Sequence, residues 1–211
     1  MKTDDLIDAL ARDTAPPPTP PASRRVVVAL ALGLAVGLFL LITIFGMRPD
    51  IGAARMPVMM KAMFAALAAS VALPVLLQLA KPGRPLGWRL AAVGGFVALS
   101  VGLVAVALMG GDPTERFKLW MAGAFPWCVA IIPLLAAPTA LLLARLLRDL
   151  APTDLRASGA ALGAVSGGVG AMVYAMYCPV DSVAWVVTWY SVAIALCAVL
   201  GAFAGARLLR W

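Results

Sequence analysis

The chain has 211 residues, 63% of them hydrophobic and 13% charged, against roughly 45–50% apolar and about 25% charged in a soluble globular domain. Seventeen Lys and Arg outweigh ten Asp and Glu, histidine is absent, and the net charge is +7. This excludes an ordinary water-soluble fold, and the lack of histidine removes the most usual general base and imidazole metal ligand.

In chain order, the first element is acidic. Asp4, Asp5, Asp8 and Asp13 stand against Lys2 and Arg12. Thr3 is a candidate N-cap, with Asp4 and Asp5 in the first turn where the helix dipole favours anions. Leu6, Ile7, Leu10 and Ala11 fall on one side at spacings of three and four. The pattern predicts a cytoplasmic amphipathic helix over residues 1–15. So short a helix is marginal alone and is expected to order against a protein partner. Pro16–Pro18, Pro20 and Pro21 stop it, and residues 16–25 form a semi-rigid polyproline tether.

Residues 26–211 then carry six runs without Asp, Glu, Lys or Arg: Val26–Phe45, Ala62–Ala80, Leu90–Gly111, Leu119–Ala144, Ala157–Val180 and Ser182–Ala206. Each is about long enough to cross some 30 Å of hydrocarbon as a helix. The runs are rich in Ala and Leu and lack alternation, which favours helices over a β-barrel. The predicted fold is all-α, a polytopic membrane bundle of six transmembrane helices. The first run is not read as a cleavable signal peptide, because 25 residues with four aspartates precede it. With the N-terminus inside, five basic residues face outward (Arg48, Arg55, Lys61, Arg116 and Lys118) and the other twelve face inward. The charge rule therefore places both termini in the cytoplasm. The basic balance reads as topology and lipid headgroup contact, with no need for nucleic acid.

Within the spans, Gly159, Gly163 and Gly167 recur every four residues, as do Gly33 with Gly37 and Gly201 with Gly205. Such spacing lets helices approach closely in lipid, and packing inside the bundle is expected before dimerisation. Pro74, Pro126, Pro133 and Pro138 are expected to kink the second and fourth spans. Lys61 is the one charge near membrane depth and is expected to snorkel to the outer interface. Tyr174, Tyr177, Trp120, Trp127, Trp185 and Trp189 read as an outer aromatic belt.

Three cysteines remain. Cys128 is placed in the outer half of the fourth span, one or more turns below the surface, and Cys178 at the outer end of the fifth. Both lie toward an oxidising compartment, where a disulfide persists. Cys197 is mid-span and reads as a small core hydrophobe. Simple core packing also fits the pair, since free cysteine is commonly buried.

The opening Met1-Lys2-Thr3-Asp4-Asp5-Leu6-Ile7-Asp8-Ala9-Leu10-Ala11, the six short-looped spans, and the flanked cysteines Pro126-Trp127-Cys128 and Tyr177-Cys178-Pro179 resemble the NrsF family, proteobacterial membrane-embedded anti-sigma factors. The resemblance implies a regulator in the bacterial inner membrane, with no catalytic residues and no resident cofactor. Its partners would be an extracytoplasmic-function sigma factor and the lipid bilayer, without direct nucleic-acid contact. It implies that heavy-metal or oxidative stress releases the sigma factor through a sensor pair, Cys128 and Cys178, with a heavy-metal ion bound there only transiently. Cys197 matches no sensor position. The residues themselves suggest Leu6, Ile7 and Leu10 as the apolar anchor for the partner and Asp4, Asp5 and Asp8 as its charge complement, together with the inner segments Lys81–Arg89 and Arg145–Arg156. Two rival readings are a small permease or channel and a membrane thiol oxidoreductase. The first lacks intramembrane acids, the uncharged runs offering mainly Ser, Thr and Gln78; the second lacks a second, closely spaced redox pair.

Overall fold

The computed structural model describes Thr3 and residues 22–81, 86–109, 112–121, 126–150 and 152–208. The expected partner residues Asp4, Asp5, Leu6, Ile7, Asp8 and Leu10 lie outside them. Among the described residues every regular element is a helix. These are α1 (Ala22–Leu40, continued by a π-helical turn at Leu41–Phe45), α2 (Arg55–Leu79), α3 (Trp88–Ala107), α4 (Pro113–Met121), α5 (Cys128–Arg148), α6 (Leu155–Tyr174) and α7 (Val183–Leu208). All except the nine-residue α4 are long and apolar enough to cross a membrane. The six predicted spans correspond to α1, α2, α3, α5, α6 and α7.

Two boundaries differ from expectation. Helix α1 begins at Ala22 and so takes in residues assigned to the tether. The fourth span covers Cys128–Arg148 instead of Leu119–Ala144. Pro126 therefore stands just before the helix, where its carbonyl accepts from the Val129 N–H at 3.1 Å, and only Pro133 and Pro138 lie within. A proline fits this entry because it has no N–H to place in the ladder. Arg145 and Arg148 extend the helix at its other end, where cations complement the exposed carbonyls.

Helix α6 is the axis of the bundle. Of its most apolar stretch 78% is buried, against 6% for α3 at the periphery, so glycine there serves packing and not lipid solubility. Gly159 sits against the backbone of Gly201 and Gly205, and Gly163 against the carbonyl of Cys197. Gly168 faces Ala65 and Ala69 of α2, and Gly170 faces Ile132 and Ala136 of α5. Any Cβ at these positions would meet neighbouring backbone. Gly33 and Gly37 of α1 rest in the same way on Thr139 and Leu135 of α5. The glycine spacing thus marks contacts within one chain, as the sequence suggests.

Two apolar clusters fill the bundle, one at each end. Leu41, Cys128, Ile132, Val173, Tyr174, Cys178, Trp185 and Tyr190 belong to the first, and Val26, Leu76, Leu143, Leu147, Leu162 and Val165 to the second. We call these the thiol end and the basic end. At the thiol end α1 closes through a π turn, with the Gly46 N–H donating to the Leu41 carbonyl at 2.9 Å. Gly46 takes φ 79°, which glycine adopts without a steric penalty. The loop then turns so that the Arg48 N–H donates to the Met176 carbonyl at 3.2 Å. At the basic end Arg25 pairs with Asp149. There Asp154 caps α6 by accepting from the Arg156 and Ala157 N–H groups at 3.1 and 2.9 Å.

Candidate functional site

The thiol end brings together the two cysteines singled out from the sequence. Cys128 is the first residue of α5, at the helix end rather than a turn or more within it. Its placement inside the span is thereby corrected, and the Pro126–Trp127 entry is the cause. Cys178 lies four residues beyond α6, held by its N–H donating to the Tyr174 carbonyl at 3.0 Å. Both side chains are fully buried, 0% exposed, within one apolar cluster. Both are free thiols. Tyr174 and Tyr190 belong to the same cluster, their rings edge to face at 5.9 Å. The buried Tyr190 hydroxyl has no hydrogen-bond partner among the described residues. The Cys178 thiol points weakly to the Val180 carbonyl, at 3.7 Å.

What fixes Cys178 is a charge cluster absent from the sequence-level site. Lys61 of α2 donates from Nζ to the Cys178 carbonyl at 2.9 Å and meets Asp181 Oδ1 at 2.7 Å. Arg48 donates to the same carbonyl at 3.3 Å and grips both Asp181 oxygens at 2.8 and 3.0 Å. Its other edge holds Asp50 at 2.5 and 2.9 Å. Lys61 is 3% exposed. The expectation that it snorkels outward is therefore corrected: an ammonium that finds a carboxylate and a carbonyl inside the protein has no need of bulk water.

The cluster is electrostatically tight. The Arg48 guanidinium holds the Asp181 carboxyl below its ordinary value of 3.8, against the opposing effect of partial burial and with help from Lys61. Arg48 likewise lowers the exposed Asp50 carboxyl. In return Asp181, then Asp50, raise the Arg48 guanidinium further above its already high value. Two loops and one span thus converge on a single peptide carbonyl next to a buried thiol.

The remaining predicted features divide. Cys197 is buried, and its carbonyl forms the seat for Gly163, consistent with a core residue. Trp127 is 61% exposed, as a belt residue would be, whereas Tyr174 and Trp185 are 3% and 1% exposed and belong to the core. Trp120 of α4 stacks on Trp189 at 6.1 Å and donates to Thr188 at 3.2 Å, docking α4 on α7. From the sequence, Lys61 and Arg48 read only as outward-facing cations, and nothing joins them to Asp181. Their signal was present: one near-membrane cation, and an acid three residues after a candidate sensor cysteine.

Chemically, two buried thiols on different elements can join as a disulfide or share a soft metal ion, which thiolates prefer. Among the described residues no group of three Cys, His, Asp or Glu surrounds them.

Comparison with known proteins gives a consistent relationship. The NrsF family model, described as negative regulator of sigma F, matches residues 10–211. A protein of Azospira oryzae named probable anti-sigma-F factor NrsF is 32% identical over 213 residues, covering 100% of both chains. The anti-sigma-F factor NrsF of Caulobacter vibrioides is 34% identical over 215 residues, again covering 100% of both. No solved structure matches the chain.

Proposed function

The chain belongs to the NrsF family of negative regulators of sigma F, and from that premise we propose that it is a membrane anti-sigma factor. In this reading it holds an extracytoplasmic-function sigma factor at the bacterial inner membrane. Both termini and the basic end face the cytoplasm, and the thiol end faces the periplasm. Cys128 and Cys178 are the sensor for heavy metal or oxidant. The observation that carries this reading is their burial in one apolar cluster, with the Cys178 backbone clamped by Lys61 and Arg48.

The mechanism follows from what the clamp couples. Joining the two sulfurs as a disulfide removes two protons and two electrons, which pass to an external oxidant. Bridging them by a soft divalent ion releases two protons and leaves both as thiolates. Either event pulls the first residue of α5 toward a loop anchored to α2 and to the α1–α2 connection. Helix α5 carries that displacement to Arg145 and Arg148 at the far end, beside the Arg25–Asp149 pair. Moving a bound population from 99:1 to 1:99 needs about 5.5 kcal/mol of discrimination between states. Thiolate–metal bonding reaches about 10–16 kcal/mol in structural zinc sites, more than that shift needs, whereas a disulfide at about 2–4 kcal/mol moves the population only part of the way. The sigma factor itself is held by the residue 1–15 segment, with Leu6, Ile7 and Leu10 as anchor and Asp4, Asp5 and Asp8 as charge complement.

The test is a Cys128→Ser/Cys178→Ser variant in cells challenged with cadmium or peroxide. The expected outcome is normal sigma retention at the membrane with no release on challenge. Release that proceeds as in the parent overturns the sensor assignment. Sigma retention unchanged in a Leu6→Ala/Leu10→Ala variant overturns the N-terminal docking surface.

A further inference from the structure

The thiol end spends its cations inside the protein, but the basic end does not. Between the first turns of α1 and the last turns of α5 lies an open cleft of about 550 Å³. Arg24, Arg25, Arg145 and Asp149 form its rim, and apolar side chains such as Val28 and Leu142 form its wall. We infer that this cleft is a specific site for an anionic phospholipid, with the arginines on its phosphate and the apolar wall along the start of an acyl chain.

Three observations support that occupant. Both walls are helices long and apolar enough to span the membrane, so what meets the cleft from the side is lipid. The rim carries three guanidiniums against one carboxylate, an excess of two positive charges. Asp149 is engaged by Arg25, and among the described residues Arg24 and Arg145 have no carboxylate partner. Arginine is also suited to the task, because its planar fork bonds two phosphate oxygens at once. The register matches a lipid as well. Arg24 and Val28 share one face of α1, and Leu142 and Arg145 share one face of α5, so charge lies at the helix ends and apolar surface one turn deeper. Basic pockets between transmembrane helices on the cytoplasmic side are where anionic headgroups are held.

The experiment uses the full-length protein in detergent micelles doped with equal mole fractions of phosphatidylglycerol or phosphatidylcholine, read by native mass spectrometry. Retention of phosphatidylglycerol is expected to exceed that of phosphatidylcholine by about 25-fold. Each arginine near the surface contributes roughly a fivefold preference for anionic lipid, so Arg24→Gln/Arg145→Gln should largely erase the difference. Asp149→Asn is expected to move retention the opposite way, upward, by removing the competing anion; this second variant keeps the test decisive if the first is poorly folded. Equal retention of the two lipids, or variants that leave it unchanged, overturns the site. Displacement of the bound lipid by millimolar inorganic phosphate would overturn it in favour of a free-anion site. Loss of sigma binding in the arginine variant with lipid retention intact would mark a protein-docking surface instead.

Discussion

At the thiol end Arg48 and Lys61 both reach Asp181 and both donate to one carbonyl, so two cations and an acid close over a buried sulfur pair. At the basic end Arg25 meets Asp149 across the surface while Arg24 and Arg145 edge an open cleft. The two ends use the same residue types, yet one holds its cations largely inside the protein and paired, while the other leaves two of them exposed at an open cleft. Under the proposed sensing mechanism, the difference separates where a signal would enter from where it would leave. A sensor needs a defined resting geometry, and a buried, mutually satisfied network supplies one. A docking face needs charges that are exposed and not already committed, because only those can be complemented by a partner or a lipid.

The contrast can be broken from the middle outward. The largest effect is expected from Gly163→Leu in α6, whose side chain would enter the Cys197 backbone. It should cost about 3 kcal/mol or more, the upper range of overpacking, and disrupt both ends together in a denaturant titration in micelles. Loss confined to one end would contradict the role of α6 as common axis. Next, Lys61→Met leaves the Cys178 carbonyl and Asp181 without their buried cation. Removing one partner of a fully buried pair costs about 3–5 kcal/mol; because the Asp181 side chain is 36% exposed, about 1–3 kcal/mol is expected here. Maleimide labelling of Cys178 should accelerate at least about fivefold, as an opening cost of that size implies. An unchanged labelling rate would show that the clamp does not hold the thiol.

Acid sharpens the comparison further. Asp181 has its carboxyl value lowered in the folded protein from 3.8. Its contribution to stability is therefore complete above that value and is lost as pH falls below it toward the depressed folded value. Hydrogen exchange in loop 175–182, corrected for its intrinsic pH dependence, should lose protection in that window, and Asp181→Asn should abolish the pH effect. The smallest change is expected at the other end. Arg24→Gln/Arg145→Gln alters exposed side chains and should shift global stability by no more than about 0.5 kcal/mol. A larger loss would mean that the basic end is as structurally committed as the thiol end.

Much of the fold is legible in the sequence, because long uncharged apolar runs permit few alternatives to helices. Uncharged runs near 20 residues mark the spans, and glycines every four residues mark the faces that meet. The fourth span was misplaced for a definite reason. Leu119–Ala144 is uncharged throughout, so hydropathy alone slides it past Pro126, while Arg145 and Arg148 look like loop although they are the last turn of α5. The sulfur pair was legible as two marked positions on neighbouring spans. The clamp was not, since Lys61 and Asp181 are far apart in the chain and no periodicity links them. A lone cation near membrane depth reads equally as snorkelling or as half of a pair, and only the fold distinguishes the two. Tyr174 and Trp185 were hidden by the same ambiguity, because an aromatic near a helix end fits both a belt and a core.

The most direct measurement is formation of the Cys128–Cys178 link in membranes, scored together with the amount of sigma factor still bound. In a Cys197→Ala background, mild oxidation is expected to yield one intramolecular disulfide between these residues by peptide mass analysis, with sigma released in proportion to its formation. An intermolecular link, or a complete intramolecular one that leaves sigma bound, would contradict the coupling of the closed end to the open one.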